Sequence, residues 1–342
     1  MAYRATLLAT LALLIGAPAS GQEAAPPASP APESPPPESP PVVAAVETRP
    51  DIVTTLTRDR STRMTMPVSI GGRGPFAFLI DTGAERTVIA ADVANSLGLA
   101  SSGSVRLHSV SGEERVPTVA IPLLEHGSGR IEQLSAPSLS HQNLGADGIL
   151  GIDSLAGKRL TIDFRNNSMT IGPAQKREEY WGPDTIVVRA KRRHGQLILV
   201  NAAANGQKIA VILDTGTQVT IGNMALRRKL DRAQRRRASR PVTISSVTGG
   251  EVVAEYTSIA RINLGDAIVN DMPVAFADVH PFKALDLEDR PALLLGMDAL
   301  ALFDRVSVDF ANKKARFDMP DGPRRPLLGS RLASIGGGDR AR

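Results

Sequence analysis

Two tripeptides carry the chemistry this sequence offers. Asp81-Thr82-Gly83 follows the apolar run Phe76 to Ile80, and Asp214-Thr215-Gly216 follows the run Ile209 to Leu213. An acidic side chain at the end of a buried strand is costly unless it is hydrogen-bonded or functional, because it gives up its hydration. Here the same costly residue stands at the same place twice. Two carboxylates brought side by side cannot both ionise, so they share one proton and one serves as acid while the other serves as base. Such a pair can take a proton from a water and protonate a carbonyl, giving a tetrahedral intermediate without a covalent adduct. Gly83 and Gly216 let the two loops approach with no Cβ between them. The next residue differs, Ala84 in one motif and Thr217 in the other. If the Thr217 hydroxyl donates to Asp214 it favours the charged form, so Asp214 is expected to be the more acidic member.

The elements that must position these residues come in duplicate. The first copy runs MTMPVSIGGRGPFAFLIDTGAERTVI, HSVSGEERV, ADGILGIDSL and LTIDFRNNSMTI. The second runs LILVNAAANGQKIAVILDTGTQVTIG, SSVTGGEVV, PALLLGMDAL and VSVDFANKKARF, in the same order. Matched positions drift only slowly, Asp81 to Asp214 by 133 residues, Gly112 to Gly249 by 137 and Gly151 to Gly296 by 145, as loop insertions between aligned elements would produce. Two homologous lobes are expected, 51–174 and 184–319. Short β-branched runs broken by Gly, Pro or Asn predict that both are mostly β. Met64 to Ile70, GGRGP and FAFLI read as a hairpin leading into a buried strand, and Leu197 to Leu213 repeats that pattern. Only Ala90 to Leu99 and Asn223 to Ala238 read as helical.

With these motifs in place the chain resembles the aspartic proteases of the pepsin and retropepsin group, over about Met64 to Phe317. The resemblance rests on LIDTGA with Ile149-Leu150-Gly151 and on ILDTGT with Leu294-Leu295-Gly296. It implies an all-β bilobal fold with short helices, in which two retropepsin-like lobes enclose the active site. It implies Asp81 and Asp214 as the catalytic dyad, supported by Thr82, Gly83 and Ala84 in one loop and Thr215, Gly216 and Thr217 in the other. The two Thr hydroxyls would cross-brace the loops, and Gly151 and Gly296 would pack behind them as structural residues. Ser111 with Gly112, and Thr248 with Gly249, would sit in two hairpin flaps that close over an extended peptide. Pepsin has one such flap, so two flaps and short lobes look more like two retropepsin subunits fused in tandem. The activity implied is aspartic endopeptidase on a peptide or protein substrate, with no cofactor and no metal. A complete site in one chain makes a monomer sufficient. The alternative is an inactive peptide-binding protein on the same fold.

Composition narrows the field further. Of 342 residues none is Cys, which excludes disulfides, thiolate metal sites and Cys nucleophiles. The five His are scattered singly along the chain, so a histidine metal cluster is not expected. Although the net charge is +5, Arg227 to Arg240 alone carries +7 and Asp321 to Arg342 carries +3, leaving −5 for the rest. The excess therefore belongs to one segment and one tail, which argues against a nucleic-acid surface. The basic segment reads as a solvated helix face, with contact to an acidic partner or an anionic membrane as its alternative. Residues 1–21 read as a signal peptide, with Arg4 ahead of a short apolar run, and 22–50 as a Pro-rich linker holding ten of the 25 prolines. A secreted or periplasmic protein is expected, without an integral span once the signal is cleaved and membrane-tethered if it is not. The Gly/Pro/Arg-rich tail, 320–342, is expected to be disordered.

Overall fold

Alternating burial along short strands builds two similar sheets. The computed structural model describes the backbone of 52–55 and residues 64–127, 129–174, 182, 185–193, 196–230 and 232–320. The expected signal peptide, Pro-rich linker and C-terminal tail lie outside the described residues, apart from Pro320.

The first half contains β1 (Ile52–Thr55), β2 (Thr65–Ile70), β3 (Arg73–Ile80), β4 (Val88–Ala90) and α1 (Ala91–Leu97). It continues through β5 (Ser101–Ser109), β6 (Gly112–His126), β7 (Gly129–Leu139) and α2 (His141–Leu144). It ends with β8 (Gly148–Leu150), α3 (Ile152–Leu155), β9 (Lys158–Asp163) and β10 (Ser168–Pro173). The second half repeats this with β11 (Thr185–Arg193), β12 (Gln196–Ala204), β13 (Gln207–Leu213), β14 (Ile221–Gly222), α4 (Met224–Lys229) and α5 (Arg232–Arg235). There follow β15 (Arg240–Ser245), β16 (Glu251–Leu264), β17 (Ala267–Phe276) and α6 (His280–Ala284). The last elements are β18 (Ala292–Leu295), α7 (Met297–Leu300), β19 (Arg305–Asp309) and β20 (Lys314–Asp318).

In the first lobe the strands run β2-β3-β8-β4-β7-β6-β5, and an added β2–β6 pairing closes six of them into a barrel. In the second lobe β12-β13-β18-β14-β17-β16 closes the same way through β12–β16, with β15 outside. The pairing senses match as well. β3 and β8 are parallel, as are β13 and β18, and β4–β8 and β14–β18 are antiparallel. Such a parallel pair is buried on both faces, so β8 and β18 read as unbroken apolar runs and every residue in them is buried.

The lobes are joined by a third arrangement, β1-β10-β9-β19-β20-β11. At its centre β9 of one lobe pairs antiparallel with β19 of the other, Thr161 facing Ser307, Leu160 facing Val308 and Ile162 facing Val306. Because LTID and VSVD are equivalent repeat segments, that register places a pseudo-twofold axis through the Thr161–Ser307 pair. Their hydroxyls are 3.3 Å apart. The arrangement is the bilobal aspartic-protease fold.

The helix content departs from the sequence reading in one place. Asn223 to Ala238 is not one helix: α4 stops at Leu230, which turns extended (φ −63°, ψ 145°) with its side chain buried, and α5 is a separate turn. Burying Leu230 outweighs the propensity of the Arg- and Lys-rich segment to continue as helix. Nor is the basic face wholly solvated, since Arg227 is 8% exposed and bonds Glu255 through Nη2 at 2.5 Å.

Candidate active site

Asp81 and Asp214 stand at the ends of β3 and β13, where each chain leaves its barrel. The Asp81 N–H donates to Leu150 O (3.0 Å) and the Asp214 N–H to Leu295 O (3.1 Å), so the Leu-Gly steps of β8 and β18 fix where the carboxyl groups begin. Gly151 and Gly296 then turn the chain directly behind these loops. A Cβ on Gly151 would lie 2.5 Å from the Arg86 carbonyl carbon, and one on Gly296 2.8 Å from that of Val219. The turn behind each loop is locked by a Thr–Asp bond, Thr87 Oγ1 to Asp153 at 2.7 Å and Thr220 Oγ1 to Asp298 at 2.7 Å. Asp153 and Asp298 are therefore braces, set apart from the paired carboxylates.

Across the axis the two loops grip one another. Thr82 Oγ1 donates to Leu213 O (2.7 Å) and accepts from Thr215 N–H (3.1 Å). In return Thr215 Oγ1 donates to Ile80 O (2.8 Å) and accepts from Thr82 N–H (3.0 Å). Each hydroxyl is thus satisfied as donor and acceptor inside the protein, where unmade bonds are expensive. Gly83 faces the opposite carboxylate so closely that a Cβ there would lie 2.7 Å from Asp214 Cγ, and a Cβ on Gly216 would come closer still to Asp81. Neither glycine has a positive φ, so close approach is what requires glycine here.

The carboxyl groups are held alike. Asp81 Oδ1 accepts from Gly83 N–H (2.7 Å) and Ala84 N–H (3.0 Å), and Asp214 Oδ1 accepts from Gly216 N–H (2.9 Å) and Thr217 N–H (3.2 Å). Burial and then the neighbouring Asp214 charge push Asp81 up to about 8. Burial also raises Asp214, opposed by the Gly216 and Thr217 N–H groups, the Thr217 side chain and a bond from Asp81. Both carboxyls are thus held above the usual range and share one proton, Asp81 being pushed up further by the Asp214 charge, and the pair titrates as a unit. Asp81 keeps partial access to the cleft, so water there relieves some of the push that burial exerts. The hydroxyl of Thr217 bonds chiefly to the main-chain carbonyl of Asp214, at 3.3 Å, and only secondarily favours its ionised carboxyl.

A cleft of about 470 Å³ opens over the pair and is lined from both lobes, by Ala84 and Ile149 on one side and Thr217 and Ile221 on the other. Two hairpins roof it, β5–β6 with its turn at Val110 and Ser111, and β15–β16 with its turn at 246–250. Ser111, Gly112, Thr248 and Gly249 are at the hairpin tips, and the cleft is lined by 106–110 of the first hairpin and by 243–245 and Val247 of the second. The two tips cross and pack on one another. Ser111 packs against Gly250 of the other hairpin, Ser109 Oγ and Thr248 Oγ1 lie 3.2 Å apart, and Gly249 sits over Asn143 of α2. Gly112 (φ 143°) and Gly249 (φ 90°) hold backbone angles that favour glycine.

Sequence reasoning missed Gln196. At the start of β12 it is 7% exposed, donates through Nε2 to Gly83 O (2.5 Å), and lines the cleft. Its Oε1 finds no partner among the described residues. A lone Gln 18 residues before Asp214 carries no signal in one sequence. It also missed a meeting of histidines: His108 and His280, 172 residues apart, meet edge to edge with nearly parallel rings, Nδ1 to Nε2 at 2.7 Å. The two come together because the first hairpin crosses to the second lobe.

A model of the aspartyl protease family matches residues 66–154 and 200–299. The chain belongs to the aspartyl protease family. Each matched stretch contains one Asp-Thr-Gly loop and its Leu-Gly partner, and the two stretches correspond to the two barrels. Membership in this family supports a protease-type function and a peptide as substrate. No curated protein matches the chain. Among the described residues no helix is long and apolar enough to cross a membrane.

Proposed function

We propose that this protein is an aspartic endopeptidase in which Asp81 and Asp214 activate a water against a peptide carbonyl. The observation that supports this best is the reciprocal Thr82–Thr215 grip, which together with Gly83 and Gly216 holds two buried carboxyl groups against each other. Ionised Asp214 takes a proton from the water as the oxygen attacks, and protonated Asp81 gives its proton to the carbonyl oxygen. The tetrahedral intermediate then collapses with proton transfer to the leaving amine. Thr82, Gly83, Ala84, Thr215, Gly216 and Thr217 fix the pair, and Gly151 and Gly296 support the loops from behind. An extended peptide lies under both hairpins, with side chains against the apolar cleft walls. Lobes spanning 51–174 and 184–319 bring both half-sites into one chain, so a monomer suffices. The N-terminal 21 residues direct export to the periplasm or beyond, and the Pro-rich stretch spaces the lobes from whatever the N-terminus meets.

The test is cleavage of a mixed peptide library from about pH 3 to pH 8 by the parent, Asp81→Asn and Asp214→Asn, each neutral variant removing one partner of the acid–base pair. Cleavage by the parent, falling roughly 1,000-fold or more in each variant, supports the assignment. A folded parent that retains an extended peptide and cleaves none of it would replace this reading with a peptide-binding protein.

A further inference from the structure

The histidine pair lies where the first hairpin reaches the second lobe. His108 on β5 and Glu113 on β6 are cross-strand partners in that hairpin, while His280 is the first residue of α6. His108 Nδ1 is 2.7 Å from His280 Nε2 and 3.7 Å from Glu113 Oε2. One ligand atom from each of the three residues falls within 4.8 Å of the others. We propose that His108, Glu113 and His280 form a divalent transition-metal site, suited to Zn²⁺, that fastens the first hairpin to the opposite lobe.

Two imidazoles and one carboxylate suit Zn²⁺, whereas Ca²⁺ and Mg²⁺ demand a shell of oxygens. At metal–nitrogen bonds of about 2.05 Å, a tetrahedral centre wants its two nitrogens about 3.4 Å apart. The rings must therefore separate by several tenths of an ångström, and both His108 and Glu113 are exposed enough to do so. The ring that now donates in the His–His bond moves its proton to its other nitrogen, so the two lone pairs face the ion. Glu113 is shared, since its Oε1 holds Arg106 Nε at 3.0 Å while Oε2 faces His108. Arg106 therefore competes with the ion. Lys283 and Glu288 act on His280 with opposite sign.

The repeat supplies an internal comparison. His141 opens α2 as His280 opens α6, but it pairs with Asp92 (3.2 Å) and Asp147 (3.9 Å) and meets no second imidazole among the described residues. The first hairpin is already docked on the second lobe, because the His280 N–H donates to Val110 O (3.2 Å) and Val110 packs against that lobe's apolar cluster. An ion bridging His108 and Glu113 to His280 adds bonds that must break before the hairpin lifts. Zn²⁺ should thus hold the cleft shut and slow substrate entry, and this consequence alone rests on the peptidase reading.

Binding is measured on the full chain by equilibrium dialysis against Zn²⁺ with metal quantification, and by the visible spectrum of the Co²⁺ form. The expected result is one ion per chain with a tetrahedral Co²⁺ spectrum. Affinity should weaken roughly 10- to 100-fold or more in His108→Ala, His280→Ala and Glu113→Gln. It should hold in His141→Ala and tighten in Arg106→Gln. Circular dichroism checks that each variant is folded. No ion bound by the parent, or equal binding by folded His108→Ala and His280→Ala, overturns the proposal. These readouts are independent of cleavage, so a protein that is inactive when metal-free and yet binds Zn²⁺ in this pattern sinks the peptidase reading and leaves the metal site standing.

Discussion

Replacing Thr82 by Val keeps the shape of the side chain and removes only its hydroxyl. That hydroxyl donates at 2.7 Å to Leu213 O and accepts at 3.1 Å from Thr215 N–H, and Thr82 is 2% exposed, so water cannot take its place. Two buried backbone groups lose a partner. At about 1 to 3 kcal/mol for each buried group left unsatisfied, the loss is about 2 to 6 kcal/mol. For a folded region of this size each kcal/mol corresponds to roughly 2 to 4 °C, so Tm should fall by at least about 4 °C. Thr82→Ser keeps both bonds and loses one methyl, at about 1 kcal/mol. The assay is urea unfolding followed by circular dichroism, on Thr82→Val, Thr82→Ser, Thr215→Val and the Thr82→Val/Thr215→Val double variant. Because the two hydroxyls share one network, the double variant should lose less than the sum of the singles by at least about 0.5 kcal/mol. A Val variant as stable as the Ser variant, or strict additivity, would refute the grip as a stabilising unit.

Other outcomes follow from the same geometry. Gly216→Ala and Gly83→Ala should each displace the facing carboxylate by about 1 Å and lower kcat by roughly 100-fold, more for Gly216→Ala because its Cβ would come closer, as steady-state kinetics on a cleaved peptide would show. Burial and Asp214 raise Asp81, so the folded state keeps a proton that the unfolded chain releases above about pH 4. The pair's contribution to stability should therefore fall as pH rises from about 4 towards 8, and Asp81→Asn should flatten that slope in urea unfolding series. Arg227→Ala should cost about 1 to 3 kcal/mol through its part-buried bond to Glu255, while exposed Arg228→Ala should stay within about 0.5 kcal/mol, measured by the same unfolding.

Much of the fold was readable because the duplication doubles each signal. The Asp-Thr-Gly loops, the Leu-Gly steps behind them and the hairpins at Gly112 and Gly249 each appear twice in register, and periodicity of two marks the strands between them. The break at Leu230 was not readable, since a run of Arg, Lys, Ala and Gln favours helix locally and only the neighbouring core makes an extended, buried Leu230 better. The two hairpins were readable from their turn glycines, but their crossing was not. The contact between the two tips involves residues some 140 apart.

By itself the sequence determined the local parts: two carboxylates at strand ends, the glycines beside them, two lobes of like topology, and the absence of thiol chemistry. These follow from residue type and spacing, which act over a few neighbours. Only the tertiary structure decided what meets across the axis. It set Thr82 against Leu213, Gly83 against Asp214, Gln196 under the Gly83 carbonyl, and His108 beside His280. Those contacts depend on how two barrels dock through β9 and β19, and docking is set by the whole buried surface, to which no single segment of the chain holds the key.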